Sequence, residues 1–97
     1  MKLAWTDLAW EDYLYWQQTD ITKARRINDL IKDIKRSPFQ GIGKPEPLKF
    51  DLAGKWSRKI DAEHRLVYEV NGKKEEQKRS IVDSRILTII QCRYHYN

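Results

Sequence analysis

The residues best suited to chemistry in this sequence are two histidines, a proline-flanked glutamate and several arginines. Residues of these types can cleave an RNA phosphodiester bond without a metal ion. That reaction requires a base that takes the proton of the 2′-hydroxyl, an acid that protonates the leaving 5′-oxygen, and cations that stabilise the negative phosphorane. Histidine suits the acid, because an unperturbed pKa of about 6.5 allows proton transfer near neutral pH. The candidate acids are therefore His64 and His95.

His95 belongs to a C-terminal group that combines one cation, two aromatic rings and an imidazole just beyond the last predicted strand. Such a group can stack a base beside a phosphate. From position alone, the alternative is a frayed terminal tail. The group consists of Arg93, Tyr94, His95, Tyr96 and Asn97.

Arg65 is the first candidate for a phosphate contact. It alternates with Leu66 and Tyr68 along a predicted strand, so its side chain should point to the face opposite those two residues. Arg58 and Lys59 on the neighbouring strand point to opposite faces, so only one of them should share a cleft with Arg65. For each of these cations the alternative is a solvated sheet face.

Glu46 is the candidate base. It stands between two prolines and close to two lysines, in a segment whose rigidity would help to preorganise a site. A glutamate in a loop is usually only a solubilising group, however. Glu63, next to His64, is a competing candidate that composition does not exclude.

Two helices are predicted ahead of these residues. Thr6 or Asp7 can cap the first helix, which should run to about Gln18. Asp20 can cap the second helix, which ends before Pro38 because the residue preceding a proline is pushed out of the helical region. The residues at helical spacing are Ala9, Tyr13 and Trp16 in the first helix, and Ile27, Leu30, Ile31 and Ile34 in the second.

Strands are predicted at 1–5, 55–60, 64–70 and 85–92, where β-branched and aromatic residues are frequent. Glycines and prolines keep the segment after the second helix irregular, as in loops that carry function. This order predicts an α+β fold, with the helix pair on one face of a single, mainly antiparallel sheet and the other face available as a cleft. The highly charged segment 71–84 is predicted to be an exposed, mobile hairpin loop.

The composition fits one domain over residues 1–97. Nineteen Lys and Arg against fourteen Asp and Glu give a net charge of +5, which favours a polyanionic partner such as nucleic acid. The single cysteine, Cys92, cannot form an internal disulfide, and no zinc-site spacing of cysteine and histidine is present. Without a signal peptide or a membrane-spanning run, the protein is expected to be soluble and cytoplasmic, with no metal or cofactor.

The same residues give the chain a strong resemblance to YoeB-type toxins, within the superfamily that also contains RelE ribonucleases and ParE gyrase poisons. Matching segments occur in order along nearly the whole chain, which is far more specific than any one of them. They are 12–17, Ile27-Asn28, 30–33, the loop Gly43-Lys44-Pro45-Glu46-Pro47-Leu48-Lys49, Trp56-Ser57-Arg58, 63–68 and Cys92-Arg93-Tyr94-His95-Tyr96.

The resemblance implies a fold like that of microbial ribonucleases and assigns the roles in catalysis. Glu46 is expected to be the general base, His95 the general acid and Arg65 the phosphate stabiliser, and Tyr96 is also implicated. His64 is expected to be structural. The residues expected to position substrate are Lys49, Trp56, Arg58 and, from the alternation argument, Lys59.

The family cleaves messenger RNA in the ribosomal A site, so the implied partners are messenger RNA, the ribosome and a YefM-like antitoxin. YoeB-like proteins also dimerise. Two departures stand out: segment 71–84 is longer than the turn expected in the family, which could alter ribosome docking, and Asn97 follows the tyrosine that usually closes the chain. The alternatives are a ParE-like inhibitor of gyrase and a non-catalytic RNA-binding module, neither of which needs Glu46.

Overall fold

Seven strands, two α-helices and one short 3-10 helix follow one another in residues 1–94, which are the residues that the structure, a computed structural model, describes. The N-terminal half holds both α-helices and the C-terminal half holds most of the strands. The elements are β1 (Lys2–Trp5), α1 (Asp7–Thr19), α2 (Ile21–Arg36), β2 (Glu46–Pro47), a 3-10 helix (Phe50–Leu52), β3 (Trp56–Lys59), β4 (Arg65–Asn71), β5 (Lys74–Gln77), β6 (Ser80–Asp83) and β7 (Ile86–Gln91).

Both helices begin and end where the sequence predicts. The Thr6 hydroxyl accepts a hydrogen bond from the Ala9 N–H at 3.1 Å and also donates to the Ile90 carbonyl, so it joins the start of α1 to β7. The Asp20 carboxylate caps α2 by accepting from the Thr22 N–H. Helix α2 ends before Ser37, as expected from the proline that follows.

The main sheet has the strand order β1-β7-β4-β3-β2. The predicted α+β fold, with the helix pair against one sheet, is confirmed. The sheet is mixed, however, because β1 pairs parallel with β7 while the other three pairings are antiparallel. Parallel strands need a long crossover connection, and the α1–α2 hairpin forms part of the connection between β1 and β7.

The core lies between the helices and one face of this sheet. Residues at helical spacing on α2 meet residues at alternate positions on β4 and β7, as the two periodicities require. Each fully buried aliphatic side chain contributes about 1.5–3 kcal/mol of transfer free energy. The core includes Ala9, Trp16, Ile27, Leu30, Ile34, Leu66, Tyr68, Leu87 and Ile89. No helix within residues 1–94 is long and apolar enough to cross a membrane.

Strands β5 and β6 form a separate two-stranded hairpin between β4 and β7. Every residue from 71 to 82 is exposed, so the segment predicted as an exposed loop is exposed, with the added order of a four-pair ladder. The hairpin base is tied to the domain at Asp83, which accepts from the N-terminal ammonium group and pairs with Arg85.

Shortening the hairpin should therefore leave the domain folded. Replacing residues 75–82 with a two-residue Asn-Gly turn retains the Lys74 and Asp83 pair and its contacts at the base. Because the removed side chains are all exposed, the free energy of unfolding in urea should change by less than about 1 kcal/mol. A larger loss would show that the hairpin packs against the domain in solution.

Candidate functional site

The pairing register places Glu46 on the sheet face that the helices leave open. Glu46 pairs with Ser57, Ser57 with Val67, and Val67 with Gln91, so these four residues form one row across β2, β3, β4 and β7. Alternate residues of β4, including Leu66, belong to the core on the opposite face. The candidate base therefore lies on the face away from the core.

Lys59 and Arg65 form a neighbouring pair on the same open face. They are register partners across β3 and β4, and each is two residues from a member of the Glu46 row. Of the two cations predicted to compete for this face, the structure selects Lys59. Like charges directly opposite each other repel, so the pair creates an electropositive position suited to an anion.

Glu46 and Arg65 lie within side-chain reach of each other on the open face. Glu46 and Arg65 are two strands and two residues apart, which corresponds to about 12 Å between Cα atoms from strand spacing and rise. Both side chains are long and can approach each other above the sheet. The pair can thus face a reacting group from two sides.

Arg65 also carries the polar atom that lacks a partner in this region. Its Nη1 is buried and makes no hydrogen bond to the described residues. The backbone N–H of Arg65 donates to the Tyr94 carbonyl at 3.1 Å, which brings Tyr94 alongside the start of β4. Since buried polar groups are almost always satisfied, this nitrogen, which has no partner among residues 1–94, is a candidate contact for an anionic ligand.

Arg58 does not take the substrate-binding position expected from the sequence. It pairs with Leu66 on the core side of the sheet, and its side chain is fully buried. Its guanidinium forms an ion pair with Asp33 of α2. A side chain with no exposed surface and a full set of partners cannot contact substrate in this structure.

The Arg58 guanidinium instead holds the loop that leads to β2. It donates to the carbonyls of Ser37, Gln40 and Ile42 at 2.7, 2.9 and 3.1 Å. The hydrogen bond from Arg58, outweighing the effect of burial, keeps the pKa of Asp33 below its ordinary value. This network fixes the segment from which Glu46 emerges.

Gly41 permits the loop to close this tightly. Its φ of +124° is a conformation that side chains rarely adopt, and an added Cβ would lie 1.9 Å from the Asp33 Oδ2 atom. At the end of the loop, the Gly43 carbonyl accepts from the Lys59 N–H at 2.6 Å. The loop is therefore attached to β3 as well as to Arg58.

The other predicted site residues are distributed differently. Trp56 pairs with Tyr68 on the core side and packs on Phe39, with ring centroids 4.7 Å apart, so it does not share the face of Arg65. Lys49 is exposed three residues after Glu46. His95 and Tyr96 lie outside the described residues. Within residues 1–94, no group of three or more His, Cys, Asp or Glu could hold a metal ion.

Comparison with known proteins identifies the family. A family model described as "YoeB-like toxin of bacterial type II toxin-antitoxin system" matches residues 5–96. The chain belongs to the YoeB family of toxins. Toxin YoeB of Escherichia coli K12 is 52% identical over 96 residues, covering 99% of this chain and 100% of that protein. Toxin YoeB of Synechocystis is 55% identical over 96 residues, covering 99% and 98%.

Solved structures of YoeB proteins show the same fold. A YoeB/ParE toxin from Agrobacterium tumefaciens superposes with a TM-score of 0.87 at 53% identity, covering 99% of this chain and 100% of that one. YoeB in a heterotetrameric YoeB-YefM complex from Staphylococcus aureus superposes with a TM-score of 0.78 at 41% identity, covering 99% and 98%. A YoeB dimer from the same organism gives a TM-score of 0.80, also at 41% identity and with 99% and 98% coverage.

Sequence reasoning missed the buried acids of this YoeB-family toxin. Asp33 pairs with Arg58, and Asp12 accepts from the Cys92 N–H at 3.1 Å. Both interrupt the apolar face of a helix at helical spacing. That pattern was the available signal, because a carboxylate among core positions requires a specific partner.

Asp61 organises the turn between the two strands that carry Lys59 and Arg65. One of its oxygens accepts from the N–H groups of Glu63 and His64, both at 2.7 Å, and the other pairs with Lys23 at 2.7 Å. Burial by itself would raise the pKa of Asp61, but Lys23 and the two N–H groups outweigh it and lower the pKa to about 2.

This depressed pKa predicts a pH-dependent contribution to stability. Because the folded value is below the unfolded value of about 3.9, the contribution is fully present above pH 4 and is lost as the pH falls towards about 2. Asp61→Asn should lower the free energy of unfolding by on the order of 1–2 kcal/mol at neutral pH. The difference from wild type should shrink in urea titrations at progressively lower pH, whereas a constant difference would assign the effect to hydrogen-bond geometry.

Proposed function

We propose that this toxin is an endoribonuclease of a type II toxin–antitoxin pair that cleaves messenger RNA in the ribosomal A site and so inhibits translation. Residues 1–97 act as a single catalytic domain in the cytoplasm. The observation that carries the proposal is the buried Nη1 of Arg65, which has no partner among residues 1–94 and belongs to a side chain on the same open face as Glu46 and beside Tyr94.

The proposed reaction needs no metal ion. Glu46 takes the proton of the 2′-hydroxyl, and the 2′-oxygen attacks the adjacent phosphorus. The bond from phosphorus to the 5′-oxygen breaks, and His95 gives its proton to that oxygen, leaving a 2′,3′-cyclic phosphate and a 5′-hydroxyl. Arg65 stabilises the charge of the phosphorane, with Lys59 and Lys49 holding the RNA backbone. Tyr96, which follows His95 in the chain, is also proposed to belong to the catalytic site.

The proposed partners follow from the same assignment. The net charge of +5 favours RNA, and the exposed Glu46 carboxylate together with the half-buried cations Lys59 and Arg65 suits a substrate presented by the ribosome. A YefM-like antitoxin holds the toxin inactive, as the S. aureus YoeB-YefM complex supports. Two copies of the toxin also associate, as the S. aureus YoeB dimer supports.

The decisive test is primer extension on messenger RNA in a purified translation system. Discrete cuts at A-site codons are expected when ribosomes are present, and prior addition of the antitoxin should abolish them. Cuts in the absence of ribosomes would show that cleavage does not depend on the ribosome. If the messenger RNA stays intact while translation or gyrase is blocked, the toxin acts by binding its target and not by cleaving RNA.

A further inference from the structure

The last described residues are held by side chains that the proposed reaction does not use. The Trp16 indole N–H donates to the Cys92 carbonyl at 2.8 Å, and the Asp12 carboxylate accepts from the Cys92 N–H. The Arg93 guanidinium lies 3.6 Å from the centre of the Tyr15 ring. Helix α1 therefore anchors residues 92 and 93.

His64 anchors the next residue. Its Nδ1 accepts a hydrogen bond from the Tyr94 N–H at 2.7 Å, and its ring contacts the Trp16 ring at a centroid distance of 4.7 Å. Tyr94 has a φ of +64°, an uncommon conformation for a residue with a side chain. Such a conformation persists only where surrounding contacts fix it.

The direction of this hydrogen bond determines the state of the imidazole. A backbone N–H can only donate, so Nδ1 must be unprotonated and the neutral ring must carry its proton on Nε2. A protonated ring has a hydrogen on both nitrogens and cannot accept. The bond to Tyr94 therefore exists only while His64 is neutral.

We propose that His64 is a positioning residue that, in its neutral form, fixes the Tyr94 backbone immediately before the proposed acid. Protonation of His64 breaks the hydrogen bond to the Tyr94 N–H. The link to activity rests on the proposed ribonuclease function, since His95 follows Tyr94 directly in the chain. The link between His64 and Tyr94 is independent of that function.

Several charged groups face this imidazole. Glu63 lies 3.9 Å from Nε2, and Asp61 accepts from the His64 backbone N–H. Asp12 of α1 lies within electrostatic range of both His64 and Arg93. Burial raises the pKa of Asp12, so its protonation at low pH would weaken the separate bond to Cys92.

Amide hydrogen exchange measured by NMR separates these groups, because Tyr94 reports on His64 and Cys92 reports on Asp12. After correction for the intrinsic rate, protection at Tyr94 should fall about tenfold between a pH at which the imidazole is neutral and a lower pH at which it is protonated. His64→Phe keeps a ring against Trp16 and removes the acceptor, so it should show the low protection at both values of pH. His64→Asn places an amide oxygen near the position of Nδ1 and should restore protection without the pH dependence.

The same variants test the consequence for activity. His64→Phe should lower kcat about tenfold with little change in KM, His64→Asn should recover most of the loss, and Glu63→Gln should resemble wild type. Protection at Tyr94 that is independent of pH in the wild type, or equal in His64→Asn and His64→Phe, would overturn the proposal. If the wild type cleaves no RNA, the ribonuclease function fails while the exchange data still decide the role of His64.

Discussion

Glu46→Gln is expected to lower the rate of messenger RNA cleavage by about 10²- to 10⁴-fold, the usual contribution of a general base. The amide keeps the size of the side chain and its exposed position in β2, but it cannot take the proton of the 2′-hydroxyl. Single-turnover cleavage on programmed ribosomes measures this effect at the chemical step. Unfolding in urea should be unchanged, because Glu46 is exposed.

Glu63→Gln is the matched control for this measurement. Glu63 was the competing base in the sequence, but its side chain is 86% exposed and lies beside His64 rather than in the row of Glu46. Cleavage by Glu63→Gln should remain within about threefold of wild type. If Glu63→Gln lost most of its cleavage rate while Glu46→Gln cleaved normally, Glu63 would be the general base and Glu46 would not. His95→Ala should lose cleavage as Glu46→Gln does, while still binding the antitoxin.

Arg58→Met is expected to lower the free energy of unfolding by about 3–5 kcal/mol, which is typical when one partner of a buried ion pair is removed. The change leaves the Asp33 carboxylate without its buried cation and leaves three loop carbonyls without their donor. Denaturation in urea, followed by tryptophan fluorescence, measures the loss. Arg25→Met is the same chemical change at an exposed position of α2 and should cost less than about 0.5 kcal/mol.

A double variant distinguishes a specific pair from general loss of packing. Asp33→Leu combined with Arg58→Met should be less destabilising than the sum of the two single changes, because neither charge is then left alone. Additive effects would contradict a coupled pair. Since the same network holds the loop before Glu46, Arg58→Met should also reduce cleavage in the fraction of protein that remains folded.

Two networks explain how a small domain can hold its open face in place. Helix α2 and Arg58 fix the loop before Glu46, while α1 and His64 fix residues 92–94 on the other side of Arg65. Each anchor belongs to the buried side of the molecule and acts on a segment at the open face. The candidate site is therefore held from both ends by groups outside the open face.

Sequence patterns alone determined both α-helices and the four strands β1, β3, β4 and β7. The caps at Thr6 and Asp20 and the apolar spacing of α2 are local signals, and they predicted both helices to within a residue or two. Alternation along β4 predicted that Arg65 faces away from Leu66, and the register confirms this. Local periodicity decides these features because it depends only on neighbours in the chain.

Tertiary structure alone decided which segments meet. The parallel pairing of β1 with β7, the choice of Lys59 over Arg58 for the open face, and the burial of Arg58 against Asp33 all depend on contacts between residues distant in sequence. A one-residue change of register would have exchanged the two cations, since side chains alternate with a period of two. The sequence therefore supplied the chemical groups, and long-range packing determined which of them lie on the open face and which hold the fold.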